Sequence, residues 1–114
     1  MRFEVGPAWS DATRMDVFEA IAEPNRRTIL RLLQRSELSA GDVLDAMSLS
    51  QPGVSRHLKM LRLAGLVSVR SDGRRRIYRI EPTKLSEIDE WLEPYKKAWA
   101  SRLSALEEQL VAES

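Results

Sequence analysis

Residues 49–65 read Leu49-Ser50-Gln51-Pro52-Gly53-Val54-Ser55-Arg56-His57-Leu58-Lys59-Met60-Leu61-Arg62-Leu63-Ala64-Gly65, a helix whose faces separate by chemistry. Val54, Leu58 and Leu61 recur at i, i+4 and i+7 and must face a core. Ser55, Arg56 and Lys59 project from the other side, joined by Gln51 at the exposed N-terminal end. Ser50 is a good N-cap, Pro52 is tolerated in the first turn, and Gly65 ends the helix as a left-handed cap. The polar face is therefore the one free to meet a ligand.

Upstream, Ser39-Ala40-Gly41-Asp42 has the spacing of a capping box. It predicts a short helix to about Met47 that buries Val43, Leu44 and Met47, followed by the polar turn Ser48-Leu49-Ser50. Before it, Pro24 to Gln34 places Ile29, Leu30 and Leu33 on one face and scatters Arg26, Arg27, Arg31 and Arg35 over a solvated remainder. A first helix, carrying Val17, Phe18 and Ile21, is expected from near Thr13 until Pro24 halts it. Residues 1–13, with Gly6, Pro7 and Trp9, read as an extended arm.

Downstream, residues 66–70 and 75–80 alternate as two strands around Ser71-Asp72-Gly73-Arg74, which holds an Asp-Gly turn signal. From Thr83 the period is helical again. Leu85, Ile88, Leu92, Tyr95, Trp99, Leu103, Leu106 and Leu110 follow one another by steps of three and four. Pro94 lies inside that run, and a kink or break is expected near Glu93, because proline removes a donor and crowds the preceding turn.

This order of elements, helix, helix, short helix, turn, amphipathic helix and basic hairpin, is that of a winged helix-turn-helix domain, mainly α with a small β-hairpin. One domain of 114 residues is expected: an arm over 1–13, a core over 14–82 with the wing at 66–80, and a C-terminal helix over 83–110. The net charge of +1 conceals a concentration. Residues 51–80 hold eight lysines and arginines against Asp72 alone, a net +7, while the segments on either side are acidic. Such a segment suits a polyanion.

Double-stranded DNA is the expected partner. Gln51 can pair with an adenine edge, Arg56 with guanine or phosphate, and Ser55 with either bases or backbone, whereas Lys59 and Arg62 suit phosphates. Ser50, Pro52 and His57 belong to the same candidate surface. Arg74, Arg75 and Arg76 on the hairpin are candidates for the flanking minor groove or its phosphates, although alternation prevents all three from pointing one way. His57 is the only histidine. As a base, ligand or pH switch it would need partners the sequence does not identify, and its plainer reading is a residue flanking the core face. A rival reading keeps the fold but gives its helices to a protein partner; the recognition face, with Gln51, Ser55, Arg56 and Lys59, favours DNA. With one histidine, no cysteine and no glycine-rich phosphate loop, no catalytic constellation is visible and no cofactor is expected. No apolar run is long enough to span a bilayer and no leader is evident, so a cytoplasmic protein without a membrane partner is expected.

Glu23-Pro24-Asn25-Arg26-Arg27, Ile29-Leu30-Arg31-Leu32-Leu33, the stretch from Leu49 to Leu61, and Ala64-Gly65-Leu66-Val67 together resemble the ArsR/SmtB family of bacterial transcriptional regulators, over about Val17 to Ile80. The resemblance implies a homodimer that represses a promoter at a partly palindromic operator, with the two terminal helices forming most of the interface. Trp9, Leu85, Ile88, Trp91, Leu92, Tyr95, Trp99, Leu103, Leu106 and Leu110 are the candidates for that interface. Trp91, Tyr95 and Trp99 also admit a reading as the lining of a small-molecule pocket, though aromatic residues at helical spacing more often build a core.

The family's metal sensors carry a Glu-Leu-Cys-Val-Gly-Asp motif, which here reads Glu37-Leu38-Ser39-Ala40-Gly41-Asp42. A serine replaces the thiolate ligand, and no histidine follows His57. Metal sensing by those routes is not expected, and the effector, if one exists, is unidentified.

Overall fold

A computed structural model describes residues 3–5 and 15–113. Trp9 and Thr13 lie outside the described residues. The order is β1 (Glu4–Val5), α1 (Val17–Ala22), α2 (Pro24–Arg35), β2 (Leu38–Ser39), α3 (Ala40–Ala46), α4 (Gln51–Leu63), β3 (Val67–Asp72), β4 (Arg75–Ile80) and α5 (Pro82–Glu113). It is a winged helix-turn-helix fold.

Asp16 caps α1 by accepting from the Phe18 amide at 2.7 Å. The helix is short, and Pro24 opens α2 two residues after it ends. Arginines from α2 complete it. Arg26 donates to the carbonyls of Glu19 and Ala20, and Arg27 to those of Ile21 and Ala22. Those are the last four carbonyls of α1, the ones a helix leaves without an internal partner. Arg26 and Arg27, expected on a solvated face, are thus the C-terminal caps of α1.

Leu66, Val67 and Ser68 are fully buried beside Ile29, Val43, Val54, Leu58 and Leu61, so the core lies between the helices and the base of the hairpin. A Schellman motif ends α4, with Leu66 N–H donating to Leu61 C=O and Gly65 N–H to Arg62 C=O, both at 3.0 Å. Gly65 has φ 77°, a conformation that glycine supplies at no steric cost.

The sheet has four antiparallel strands in the order β1-β3-β4-β2, rather than the hairpin alone. Its two added strands are two residues long, too short to show a period in sequence. β3 also runs on to Asp72, which pairs with Arg75, so the turn consists of Gly73 and Arg74. Gly73 takes φ 63° and no other residue type described has positive φ, the combination of a type II′ turn.

Of the kink or break expected near Glu93, the break does not occur: α5 is one helix from Pro82 to Glu113, with Pro94 inside it. Proline deletes a single ladder bond, and the ladder continues on both sides. Lys96 hydrogen-bonds Asp89 and lies 3.6 Å from a Glu93 carboxylate oxygen, bracketing the turn in which the donor is missing. At 1.5 Å per residue the 32 residues extend about 48 Å. Leu85 and Ile88 pack against the core of the same chain, and from Asp89 onward every described residue of α5 is exposed. No helix among the described residues is long and apolar enough to cross a membrane.

Candidate nucleic-acid interface

The capping box that opens α3 is complete: Ser39 Oγ accepts from the Asp42 amide at 3.1 Å, and Asp42 Oδ2 accepts from the Ser39 amide at 3.0 Å. The Ser39 amide first, the Ser39 hydroxyl second and the Arg75 charge last hold the Asp42 carboxyl below the usual carboxylate range, outweighing burial. After α3, Ser50 caps α4 by accepting from the Gly53 amide at 3.2 Å. A Cβ on Gly53 would lie 3.3 Å from Ser50 Oγ, so the smallest residue stands where the cap approaches most closely.

Val54, Leu58 and Leu61 anchor the inner face of α4 in the core. That anchorage turns Gln51, Pro52, Ser55, Arg56 and Lys59 outward, and all five are exposed, as is Ser50. The N-terminal end of the helix, with its partial positive charge, lies at the same exposed edge. Gln51 and Ser55 border a crevice of about 70 Å³ shared with Ala40, Gly41 and Leu44 of α3.

Two residues grouped with this face on sequence lie elsewhere. His57 turns inward, with a side chain only 16% exposed and Nδ1 at 3.8 Å from Glu23 Oε2. Glu23 in turn caps α2 through the Arg26 amide. Burial raises the Glu23 pKa, but the Arg26 amide, His57 and Asn25 outweigh it and the net direction is down. His57 therefore belongs to the junction of α1, α2 and α4, one position round the helix from the exposed stripe. Arg62, in the last turn of α4, is half-buried.

The basic segment divides in a way its charge count conceals. Arg70 pairs with Glu37 at 3.6 Å, and Arg79 with Glu81 at 3.4 Å while lying 3.7 Å above the Phe3 ring. Arg75 donates to Asp42 Oδ2 and Ser39 Oγ, both at 3.1 Å. Arg70, Arg75 and Arg79 thus answer carboxylates of the same chain. Arg56 and Lys59 on α4, with Arg74 and Arg76 on the hairpin, are exposed and form no ion pair among the described residues. These four exposed cations on one helix face and one hairpin can meet regularly spaced phosphates, while Gln51 and Ser55, exposed on the same helix, can meet base edges.

The second surface of note is apolar. Trp91, Tyr95, Trp99, Leu103, Leu106 and Leu110 on α5 are each more than half exposed, with Leu92 less so. Phe18 of α1 joins them, its ring edge-on to Trp91 at 5.3 Å, and Trp91 lies 5.0 Å from Tyr95. Ser39, which stands in the position of a metal-sensor cysteine, has its hydroxyl occupied by the Asp42 amide and Arg75. Among the described residues no three His, Cys, Asp or Glu side chains gather as a metal site.

Comparison with known proteins agrees with this geometry. Residues 23–69 match the model of the bacterial regulatory protein, arsR family. The chain is 35% identical over 77 residues to the transcriptional repressor SdpR of Bacillus subtilis, covering 68% of this chain and 86% of that protein. It is 38% identical over 71 residues to an HTH-type transcriptional regulator of Mycobacterium tuberculosis, covering 62% of this chain and 66% of the relative. Among solved structures, a possible transcriptional regulator for arsenical resistance superposes with a TM-score of 0.69 at 34% identity, over 80% of this chain and 95% of the other.

Proposed function

The chain belongs to the arsR family of bacterial regulatory proteins, DNA-binding transcriptional regulators and not enzymes, and on that premise we propose that it is a cytoplasmic repressor that binds a partly palindromic operator as a homodimer. The observation that carries the reading is the outward face of α4, where Gln51, Ser55, Arg56 and Lys59 are exposed opposite a fully buried Val54, Leu58 and Leu61. Gln51 and Ser55 read base edges in the major groove, Arg56 reads guanine or holds phosphate, and Lys59 holds phosphate. Ser50 and Pro52 set the N-terminal end of the helix against the backbone. Arg74 and Arg76 reach the flanking minor groove or its phosphates.

Residues 14–82 form the DNA-binding unit and residues 83–110 the dimerising helix. The exposed apolar stripe of α5, continued by Phe18 of α1, supports a second copy as its cover. Two-fold symmetry in the protein then matches the two half-sites of the operator. The commitment of Ser39 to a capping box supports regulation by something other than a thiolate-bound metal.

The test is binding to the DNA upstream of the chain's own gene, followed by fluorescence anisotropy across a salt series. Affinity is expected to fall steeply with salt, and Arg56→Ala to cost about 1–3 kcal/mol. Lys59→Ala should weaken binding and lower the log–log salt slope by about one. Unchanged binding in both variants would overturn the assignment of α4 to the groove.

A further inference from the structure

Arg75 stands in the middle of the wing's arginine run, yet its side chain, although 59% exposed, bonds back to the start of α3. Its Nη2 lies 3.1 Å from Ser39 Oγ and 3.1 Å from Asp42 Oδ2. Both acceptors already belong to the capping box, so the guanidinium closes a ring that includes the first turn of α3. The β2–β4 ladder, which pairs Ser39 with Ile77 and Leu38 with Tyr78, ties the same turn to β4 through the backbone. On its other side that turn meets α4, where Ala40, Gly41 and Leu44 share a crevice with Gln51, Val54 and Ser55. A continuous path of bonded and packed groups thus runs from the base of the wing tip to the groove-facing residues of α4.

We propose that Arg75 is a positioning residue: with Asp42 and Ser39 it forms a strut that fixes the wing relative to α4, and it is not itself a phosphate ligand. The inference rests on the DNA-binding reading above. A guanidinium engaged by a carboxylate offers less net charge to a phosphate than Arg74 or Arg76, which form no ion pair among the described residues. Arg75 is also the first residue of β4, directly after the Gly73–Arg74 turn, so anchoring it limits the swing of the two arginines beside it. The Asp42 carboxylate, held charged by the Ser39 amide and hydroxyl, keeps the strut intact at neutral pH.

The experiment compares Arg75→Ala, Asp42→Asn, the double variant and Arg74→Ala, each titrated with upstream DNA over a salt series. Asparagine retains an oxygen for the Ser39 amide while removing the charge that Arg75 answers. A strut predicts that Arg75→Ala and Asp42→Asn each weaken binding roughly tenfold, and that the double variant is no weaker than either single one. Both should leave the salt slope at the wild-type value, whereas Arg74→Ala lowers it by about one. A phosphate ligand predicts the reverse: Arg75→Ala lowers the slope, and Asp42→Asn, by releasing the guanidinium, holds or raises affinity. That outcome overturns the proposal, as does wild-type affinity in both single variants. Failure of the wild-type chain to bind any upstream DNA removes the parent reading itself and is seen before a variant is made.

Discussion

Helices α4 and α5 both carry apolar residues at steps of three and four, but only α4 has its stripe covered along its length by its own chain. Leu58 is 1% exposed and Trp99 is 60% exposed. The difference is one of neighbours and not of pattern: α4 lies on α2, α3 and β3, whereas every described residue of α5 after Ile88 is exposed. Periodicity establishes that a helix has an apolar face, and the chain's topology decides whether that face is filled from within or left for a partner. In α4 the covered face serves the opposite one, since burying Leu58 holds Arg56 and Lys59 outward.

The contrast breaks most readily in the core. Leu58→Ala should lower the free energy of unfolding by about 2–5 kcal/mol, measured by urea denaturation at fixed protein concentration. A loss well under 1 kcal/mol would mean that α4 is not anchored as described.

A smaller effect is expected in the stripe of α5. Trp99→Ala should weaken the proposed dimer by about 2 kcal/mol or more, read as a rise in the dissociation constant by sedimentation equilibrium. The secondary structure of the dissociated chain should survive, because Trp99 has no place in the core of its own chain. A wild-type monomer at micromolar concentration would end the claim that a second copy covers α5.

The smallest effect sharpens the description of what lies behind α4. Glu23 has a folded pKa below its unfolded value, so its contribution to stability is complete above the unfolded value of about 4.3 and is lost as pH falls through the folded one. The melting temperature of the wild type should therefore drop more steeply than that of Glu23→Gln below about pH 5. Parallel curves would show that Glu23 adds nothing pH-dependent to the junction it caps.

Much of the fold was legible because its signals are local. Ser39 with Asp42, Ser50 with Pro52, Gly65 and Gly73 all mark boundaries within a few residues of themselves, and the structure has each at its boundary. The outward face of α4 was legible for the same reason. What is not local depends on distant partners. Arg75 meets Ser39 and Asp42 across more than thirty residues, and no window over the wing distinguishes it from Arg74 or Arg76. His57 is one residue from Arg56, and only the packing of α2 behind α4 separates their roles. For Arg26 and Arg27 the sequence does hold a sign: a helix ended by Pro24 leaves carbonyls in want of donors, and two arginines follow within a turn.

The sheet is covered unevenly along its length. Its two long strands are central, and its outer strands cover them only at Ser68, Val69, Ile77 and Tyr78. The covered part lies at the base of the hairpin, where an open strand edge could recruit a strand from another molecule and begin aggregation. Beyond it, from Arg70 to Arg76, the ribbon runs on with both outer edges uncovered by β1 or β2. A ribbon closed where it meets the protein and open where it leaves can lie against a nucleic-acid backbone without offering neighbouring copies a long edge to join.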